Sequence, residues 1–387
     1  MFPTKAPGPD GFLAHFFQHH WNLCGRRVLR GEDDPMTIND TFIVMIPKVD
    51  SPEELGHLCN VIHKIASKVL ANRLNVFLLE IISEEQSAFV AGKMIQDNII
   101  STYECLHFMK KKRAKLDITC ALKMDMKKAY DRVEWAYLRA IMLRLGFHGV
   151  WVEMAMRLVV SVSLSVLFNG ERQTSFSPTS DIRQGIRSFL IFSSEGLSCL
   201  LKSNVRSSDL QGIKVAPSAP MVNHLLFADD SLLFFKASRE GALEVYEELR
   251  RYCQASGQQV KLDKSSIRFA KGCSSSLREE IKNELHVQNE SLNSKYLGMP
   301  SDVGASVNGA FKYLKDRVWN KVQGWLEQCL SASGKEVLIK AAAQAVLTYS
   351  MSCFKLPRGL YQHLEGLMRK FWWGSKELRM DNGKHVG

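Results

Sequence analysis

No pair among the nine cysteines, at positions 24, 59, 105, 120, 199, 253, 273, 329 and 353, stands at Cys-x-x-Cys spacing. Cys105 with His107 lacks the second pair of ligands that a zinc site requires. An odd number of thiols without a secretory leader points to reduced, mostly buried cysteines inside a cell. The first eleven residues, Met-Phe-Pro-Thr-Lys-Ala-Pro-Gly-Pro-Asp-Gly, contain no apolar core of the signal-peptide type. No stretch approaches the roughly 18–20 consecutive apolar residues needed to span a bilayer. Fixed-period repeats and low-complexity tracts are missing as well. These absences exclude a disulfide-stapled secreted protein, a membrane span and a repeat solenoid. The expected location is intracellular, nuclear or cytoplasmic, with no membrane partner.

What the chain has is length and positive charge. Its 387 residues allow two or three subdomains with real cores. Apolar residues make up 45% and charged residues 24%, as in ordinary globular proteins. Lys plus Arg number 51 against 40 Asp plus Glu, a net charge of +11 that suits a polyanionic partner. One basic cluster runs Lys110-Lys111-Lys112-Arg113-Ala114-Lys115, which also suits a plain solvated surface. Another comprises Lys312, Lys315, Arg317, Lys321, Lys335 and Lys340. It is interleaved with Trp319 and Trp325, a pattern fit both to pack and to touch a phosphate backbone.

Apolar periodicity predicts alternating strands and helices. An extended lead-in over 1–11 precedes a helix over 12–29 and a short strand over 41–47 that ends at proline. Helices are expected over 61–81, 95–112, 133–145 and 243–256, with strands over 118–126, 161–168 and 265–270. Asn169-Gly170 after the alternating strand is a strong hairpin signal. Further helices are expected over 318–330 and 335–349. The fold class is therefore α/β in the broad sense (α+β), followed by a helical region.

Residues 225–235 read Leu-Leu-Phe-Ala-Asp-Asp-Ser-Leu-Leu-Phe-Phe, adjacent carboxylates between two apolar runs. The runs fit two buried strands turning at Ala228-Asp229-Asp230-Ser231. Like charges this close raise each other's pKa, so the pair needs open water or a neutralising cation. A solvated turn explains Asp229 and Asp230 by themselves. About a hundred residues upstream, Asp125 falls at the end of another apolar strand, with Asp131 soon after. Alone, Asp125 reads as a helix-entry residue and Asp131 as a first-turn acid facing the helix dipole. Taken together, Asp125, Asp229 and Asp230 on a basic chain match what two-metal phosphoryl transfer requires: hard oxygen ligands for two Mg²⁺ ions.

The chain resembles the reverse transcriptase region of a plant LINE-type (non-LTR) retrotransposon polyprotein over essentially its whole length. The resemblance rests on Lys5-Ala-Pro-Gly-Pro-Asp-Gly11, Phe42-Ile-Val-Met-Ile-Pro-Lys48, the segment 58–74 and Glu85-Gln-Ser-Ala-Phe89. It continues through Met124-Asp-Met-Lys-Lys-Ala-Tyr-Asp-Arg-Val-Glu-Trp135, Arg183-Gln-Gly185, Phe227-Ala-Asp-Asp230, Lys264-Ser265 and Tyr296-Leu-Gly-Met-Pro300. The order and spacing of these segments carry the specificity.

Such a resemblance implies a right-hand polymerase with fingers, a palm of antiparallel sheet packed on helices, and a helical thumb. The implied activity is RNA-directed DNA polymerisation with Mg²⁺ (two ions, Mn²⁺ as a substitute). Its partners would be an RNA template, a DNA primer and deoxynucleoside triphosphates. By the same resemblance, Asp125, Asp229 and Asp230 are catalytic and hold the metals. Tyr130 gates the sugar of the incoming nucleotide, Gln184 and Gly185 lie beside the nucleotide and template, and Lys264 lies near the triphosphate. Lys264 also fits a snorkelling surface lysine. Tyr296, Leu297 and Gly298 resemble the primer-grip turn. The implied domains are a shortened N-terminal extension over 1–40, fingers and palm over 41–300, and a C-terminally truncated thumb over 301–387.

Three departures from the family pattern point to impaired catalysis. Between Glu54 and Leu58 only Leu-Gly-His remains, without the arginine that would hold the triphosphate. After Arg183-Gln-Gly185 the chain reads Ile186-Arg-Ser-Phe-Leu-Ile-Phe-Ser-Ser194, lacking an aspartate and two prolines. That loss is expected to disturb the helix beneath the nucleotide. The segment 24–38 is shortened, and no upstream endonuclease region is expected. A catalytically inactive nucleic-acid-binding remnant and an intron maturase-like protein remain the alternatives.

Overall fold

Alternating short and long apolar periods fold into strands and helices in the computed structural model of the chain. It describes residues 40–44, 56–58, 61–111, 118–168, 171–180, 182, 188–203, 210–290, 295–300, 309, 311–326 and 330–373. The expected lead-in and helix over 1–29 lie outside these residues. Two compact units divide the chain, one of 1–94 with 113–290 and one of 95–112 with 291–387.

The first unit begins with β1 (Asp40–Val44), β2 (Gly56–Leu58), α1 (Val61–Leu74) and α2 (Leu78–Ile81); α3 (Ile95–Lys111) belongs to the second. It resumes with β3 (Thr119–Met124), α4 (Trp135–Arg144), α5 (Gly149–Val160), β4 (Ser163–Phe168), β5 (Glu171–Arg172) and α6 (Leu190–Ser203). The hairpin strands β6 (His224–Phe227) and β7 (Asp230–Lys236) follow, then α7 (Arg239–Ser256), β8 (Ser266–Phe269) and α8 (Ser275–Leu285). The helix expected over 61–81 is interrupted by a turn at Asn75, Val76 and Phe77, two of whose side chains, Val76 and Phe77, are exposed.

One four-stranded sheet has the order β2-β1-β4-β5, with β1 and β4 parallel and the outer pairs antiparallel. The other, β6-β7-β3-β8, is antiparallel throughout. Side chains alternate across a strand, so Leu122 and Met124 of β3 share a face with Leu226, Leu233 and Ile267. Those residues join one core with Leu70 of α1, Leu138 of α4, Phe192 of α6 and Val245 of α7. Neither outer strand of this sheet is bare. Leu226 of β6 donates its amide to Glu85 O and accepts from Ser87 N, and Ile267 of β8 donates to Asn289 O.

Local chemistry fixes where the helices stop and how closely they pack. Ser238 caps α7 by accepting the Gly241 amide at 3.0 Å, and Gly257 ends it at φ +76°. A Cβ at Gly257 would stand 2.5 Å from Arg132 O, so both the backbone angle and the space require glycine. In α6, Gly196 lets the helix approach α4, where an added Cβ would come 1.9 Å from Tyr137 Oη. Gly196→Ala gains about 1 kcal/mol of helix propensity but overpacks a buried contact, which costs about 1–3 kcal/mol. Chemical unfolding is expected to show a net loss of up to about 2 kcal/mol, largely recovered when Tyr137→Phe is added.

The helix expected to be disturbed by the missing prolines is regular over Leu190–Ser203. Phe192, Leu197 and Leu201 are buried on it, so tertiary packing holds the helix without its usual start signals. It also carries a buried polar chain. His224 Nε2 lies 2.8 Å from Ser198 Oγ, Ser198 Oγ 2.8 Å from Ser83 Oγ, and Ser83 Oγ donates to Glu195 Oε2 at 2.8 Å. Glu195 accepts a further bond from Ser83 N at 3.1 Å. Gln86 Nε2 donates to Ser194 Oγ at 2.7 Å, and Lys202 pairs with Glu85 at 2.6 Å. The segment 83–87 is thereby fastened to α6 and β6 together.

The second unit is built from α3, the two-stranded hairpin β9 (Lys295–Tyr296) and β10 (Met299–Pro300), and helices. These are α9 (Lys312–Leu326), α10 (Ala332–Leu338), a π-helical stretch Ile339–Ala343, α11 (Gln344–Met351) and α12 (Arg358–Trp373). Phe311, Leu314, Val318, Leu364 and Phe371 form its core. The single helix expected over 335–349 is thus three successive segments. Among the described residues no helix is long and apolar enough to cross a membrane.

Candidate active site

β3 ends at Met124, paired with Ser231 of β7. Extending that antiparallel register by one residue sets Asp125 across from Asp230. Residues opposed in this way have Cβ atoms roughly 4.5–5.5 Å apart and point to the same face. Asp230 itself pairs with Phe227, which leaves Ala228 and Asp229 as a two-residue hairpin turn. The turn is therefore tighter than the expected 228–231, and Asp230 is the first residue of its strand. Asp229 at the apex is exposed, while Asp125 and Asp230 are partly buried.

Ala228 has φ of +56°, in the left-handed region that a primed hairpin turn requires at this position. A non-glycine residue there costs about 1–2 kcal/mol. Glycine would remove that strain but lose about 0.5–1 kcal/mol through the more flexible unfolded chain. Ala228→Gly is thus expected to stabilise the protein by roughly 0.5 kcal/mol in urea unfolding. A loss above about 1 kcal/mol would instead show that packing of the alanine methyl dominates.

Burial raises the pKa of Asp230, and the negative charges of Asp229 and Asp125 raise it further, while the Lys123 ammonium opposes them. Lys123 stands two residues before Asp125, which continues from the end of β3, and both charges act on Asp230. Sequence reasoning passed over Lys123, although this spacing was the available signal. Ser265 was also given no role, yet its Oγ accepts the Asp125 amide at 3.4 Å. Lys261 N donates to Asp125 O at 2.7 Å, so the 261–265 turn holds the Asp125 backbone from both sides.

Among the described residues, no three His, Cys, Asp or Glu side chains converge as a ready-made metal cage. The donor set nevertheless suits Mg²⁺. That ion is normally held by one or two carboxylates completed by substrate phosphates and water, and mutually repelling carboxylates gain from a cation.

The other predicted residues fall as follows. Tyr130 is partly buried in the loop after Asp125, where it packs against the core and its carbonyl accepts Ile182 N at 2.8 Å. The same loop is pinned by Gln258 Nε2 to Ala129 O at 2.7 Å and Lys127 N to Gln259 O at 2.8 Å. Asp125 is a strand-end residue rather than a helix entry. Asp131 lies in a turn ahead of α4, whose N-cap is Glu134, rather than in the helix's first turn. Lys264 is exposed on the 261–265 turn. Gln184 and Gly185 lie outside the described residues. Leu297 and Gly298, at φ +49° and +79°, make a tight hairpin turn between Tyr296 and Met299. Tyr349 Oη donates to Leu297 O at 2.7 Å, securing that turn within the second unit.

Comparison with known proteins matches residues 46–301 to the family described as reverse transcriptase (RNA-dependent DNA polymerase). The uncharacterized 149 kDa protein of transposon TX1 from Xenopus laevis is 24% identical over 394 residues, covering 96% of this chain. The chain spans 29% of the length of that relative. Among solved structures, apo telomerase from Candida tropicalis truncated from its C-terminal domain aligns at TM-score 0.43 and 14% identity, over 62% of this chain and 52% of its own. Telomerase from the same yeast in complex with a fragment of telomeric RNA aligns at TM-score 0.43 and 13% identity, over 87% and 58%.

Proposed function

The chain belongs to the reverse transcriptase (RNA-dependent DNA polymerase) family; from that premise we propose that it is the reverse transcriptase region of a non-LTR retrotransposon polyprotein and extends a DNA primer along an RNA template. The reaction joins the primer 3′-oxygen to the α-phosphorus of a deoxynucleoside triphosphate. The bond from that phosphorus to the β-phosphate oxygen breaks, the hydroxyl proton passes to solvent, and pyrophosphate leaves. The observation that carries this reading is the β3–β7 pairing, which ends at Met124 with Ser231 and so brings Asp125 near Asp230, with Asp229 at the adjoining hairpin apex.

Asp125 and Asp229 would hold the divalent cations, with Asp230 completing the acidic face. When bound, two such ions lower the pKa of an attacking hydroxyl and offset charge on a leaving phosphate. The protein's own groups do the rest. The 261–265 turn fixes the Asp125 backbone, and Tyr130 bars a 2′-hydroxyl by steric contact. Lys264 faces the triphosphate and stabilises the departing pyrophosphate. Gln184 and Gly185 adjoin the nucleotide and template. The turn at Tyr296, Leu297 and Gly298 grips the primer, and the helices after 301 serve as the thumb. Base pairing selects the sequence, so the protein needs backbone contacts from its basic surface rather than base readout.

Extension is proposed to be weak, because the arginine that would hold the triphosphate is missing between Glu54 and Leu58. Primer extension on an RNA template with Mg²⁺ or Mn²⁺ tests the proposal. Template-dependent DNA synthesis supports it. Salt-sensitive RNA binding without synthesis in either metal rejects it in favour of a binding protein.

A further inference from the structure

On the face of the antiparallel sheet opposite the carboxylates lies a pocket of about 180 Å³. Leu122 and Met124 of β3 form its floor, Leu249 of α7 one side, and Leu285 and Val287 another. Leu262, 42% exposed, stands at the mouth. The charged neighbour, Arg250, is already paired with Glu247 at 2.8 Å. The Ser265 hydroxyl is committed as well, donating to Lys261 O at 3.0 Å and accepting the Asp125 amide. Tyr246 adds an aromatic ring to the lining; with Arg250 and Ser265 committed to other partners, what the pocket chiefly offers a ligand is dispersion and apolar burial. An enclosed, engineered apolar cavity of about 150 Å³ takes up benzene, which sets the size of molecule that such a volume admits.

The wall of this pocket is also the support of the carboxylate site. Met124 directly precedes Asp125, while Leu262 and Ser265 belong to the turn that bears Lys264. Both backbone hydrogen bonds of Asp125 described above are made to that turn. A molecule seated between Met124 and Leu262 therefore presses on the residue that precedes Asp125 and on the turn that bears Lys264 and bonds the Asp125 backbone. We propose that the pocket is a binding site for a small, uncharged, planar apolar molecule of one or two rings, and that filling it displaces the Lys264 turn relative to Asp125.

Titrating the full chain, labelled in its methionine methyls and backbone amides, with indole tests this by nuclear magnetic resonance. The expected result is a saturable shift of the Met124 methyl, with the Asp125 and Lys264 amides shifting at the same midpoint. Cys253 also lines the pocket. Cys253→Phe, which fills the space, is expected to weaken binding by at least about tenfold while the remaining methionine signals keep their positions. Leu249→Phe serves the same purpose should the first variant not fold. Absence of a saturable Met124 shift, or unchanged affinity in a folded, filled variant, would overturn the site. Saturation at Met124 with unmoved Asp125 and Lys264 amides would overturn the coupling. These readouts need no DNA synthesis, so failure of the polymerase reading leaves them intact and separately decidable.

Discussion

Asp229→Asn is expected to reduce template-directed extension by roughly 10³-fold, to background in a weak enzyme. The substitution keeps size and shape but replaces one acceptor oxygen by a donor NH2 and removes a negative charge at the hairpin apex. Losing a metal ligand forfeits several kcal/mol of transition-state stabilisation, and each 1.36 kcal/mol is a factor of about ten. Stability is expected to change in the opposite direction. Asp229 repels Asp230, whose pKa is raised first by burial and then by its acidic neighbours. Removing that repulsion relaxes the turn, so the asparagine variant is expected to unfold at an equal or slightly higher urea concentration. Lost synthesis with preserved stability is the signature of a catalytic carboxylate. Synthesis retained within a factor of about three would assign Asp229 to a solvated turn and the chemistry elsewhere.

The second large effect lies in acid. Burial lowers the pKa of His224 to about 4, with Lys202 adding to the shift and Glu85 opposing it. The hydrogen-bond chain explains why the neutral ring is preferred. His224 Nδ1 is buried without a hydrogen-bond partner, so the ring donates from Nε2 to Ser198 and carries no proton on the other nitrogen. Ser198 then donates to Ser83, and Ser83 to Glu195. A second ring proton would be an unsatisfied buried donor.

The folded pKa lies below the unfolded value of 6.5, so between these values the unfolded chain binds more protons. Stability is accordingly full above pH 6.5 and is lost as pH falls toward 4. The loss is about 2 kcal/mol between pH 7 and pH 5 and about 3 kcal/mol in full. Glu195 acts in the other direction. Burial raises its pKa above 4.5, although the Ser83 bonds resist, so its contribution favours the fold at low pH and fades as pH rises. Urea unfolding from pH 7 to pH 5 is therefore expected to show falling stability in the parent. In His224→Gln the profile should be flat or slightly reversed. An unchanged slope in that variant would place the acid-sensitive group elsewhere.

Strands near the carboxylates were legible because their signal is local. Leu225-Leu226-Phe227 and Leu232-Leu233-Phe234-Phe235 are short apolar runs around a polar pair, and 119–124 is another. Helix α8 was not, since Ser-Ser-Leu-Arg-Glu-Glu-Ile-Lys-Asn-Glu-Leu buries little apolar surface beyond Ile281 and Leu285. Its Ser274 cap was the available clue. At the site, residue identity announced the three carboxylates, but not their register. Placing Asp125 across from Asp230 depends on how β3 and β7 pair. The polar chain from His224 to Glu195 joins residues as much as 115 positions apart in sequence, beyond any local period. The π-helical stretch at 339–343 likewise has no signature in an apolar pattern that continues through it.

Both flanks of the four-stranded antiparallel sheet are occupied, β6 by the 85–87 segment and β8 by Asn289. An uncovered flank presents a row of amides and carbonyls on which a strand from another molecule can add. Apolar runs such as Leu225–Phe227 and Leu232–Phe235 would favour such growth if their flank were left open. The 85–87 segment and Asn289 thus work as guards against self-association. The tether from α6 through Ser194 and Gln86 holds the first of them in place, and so keeps that flank closed to a foreign strand.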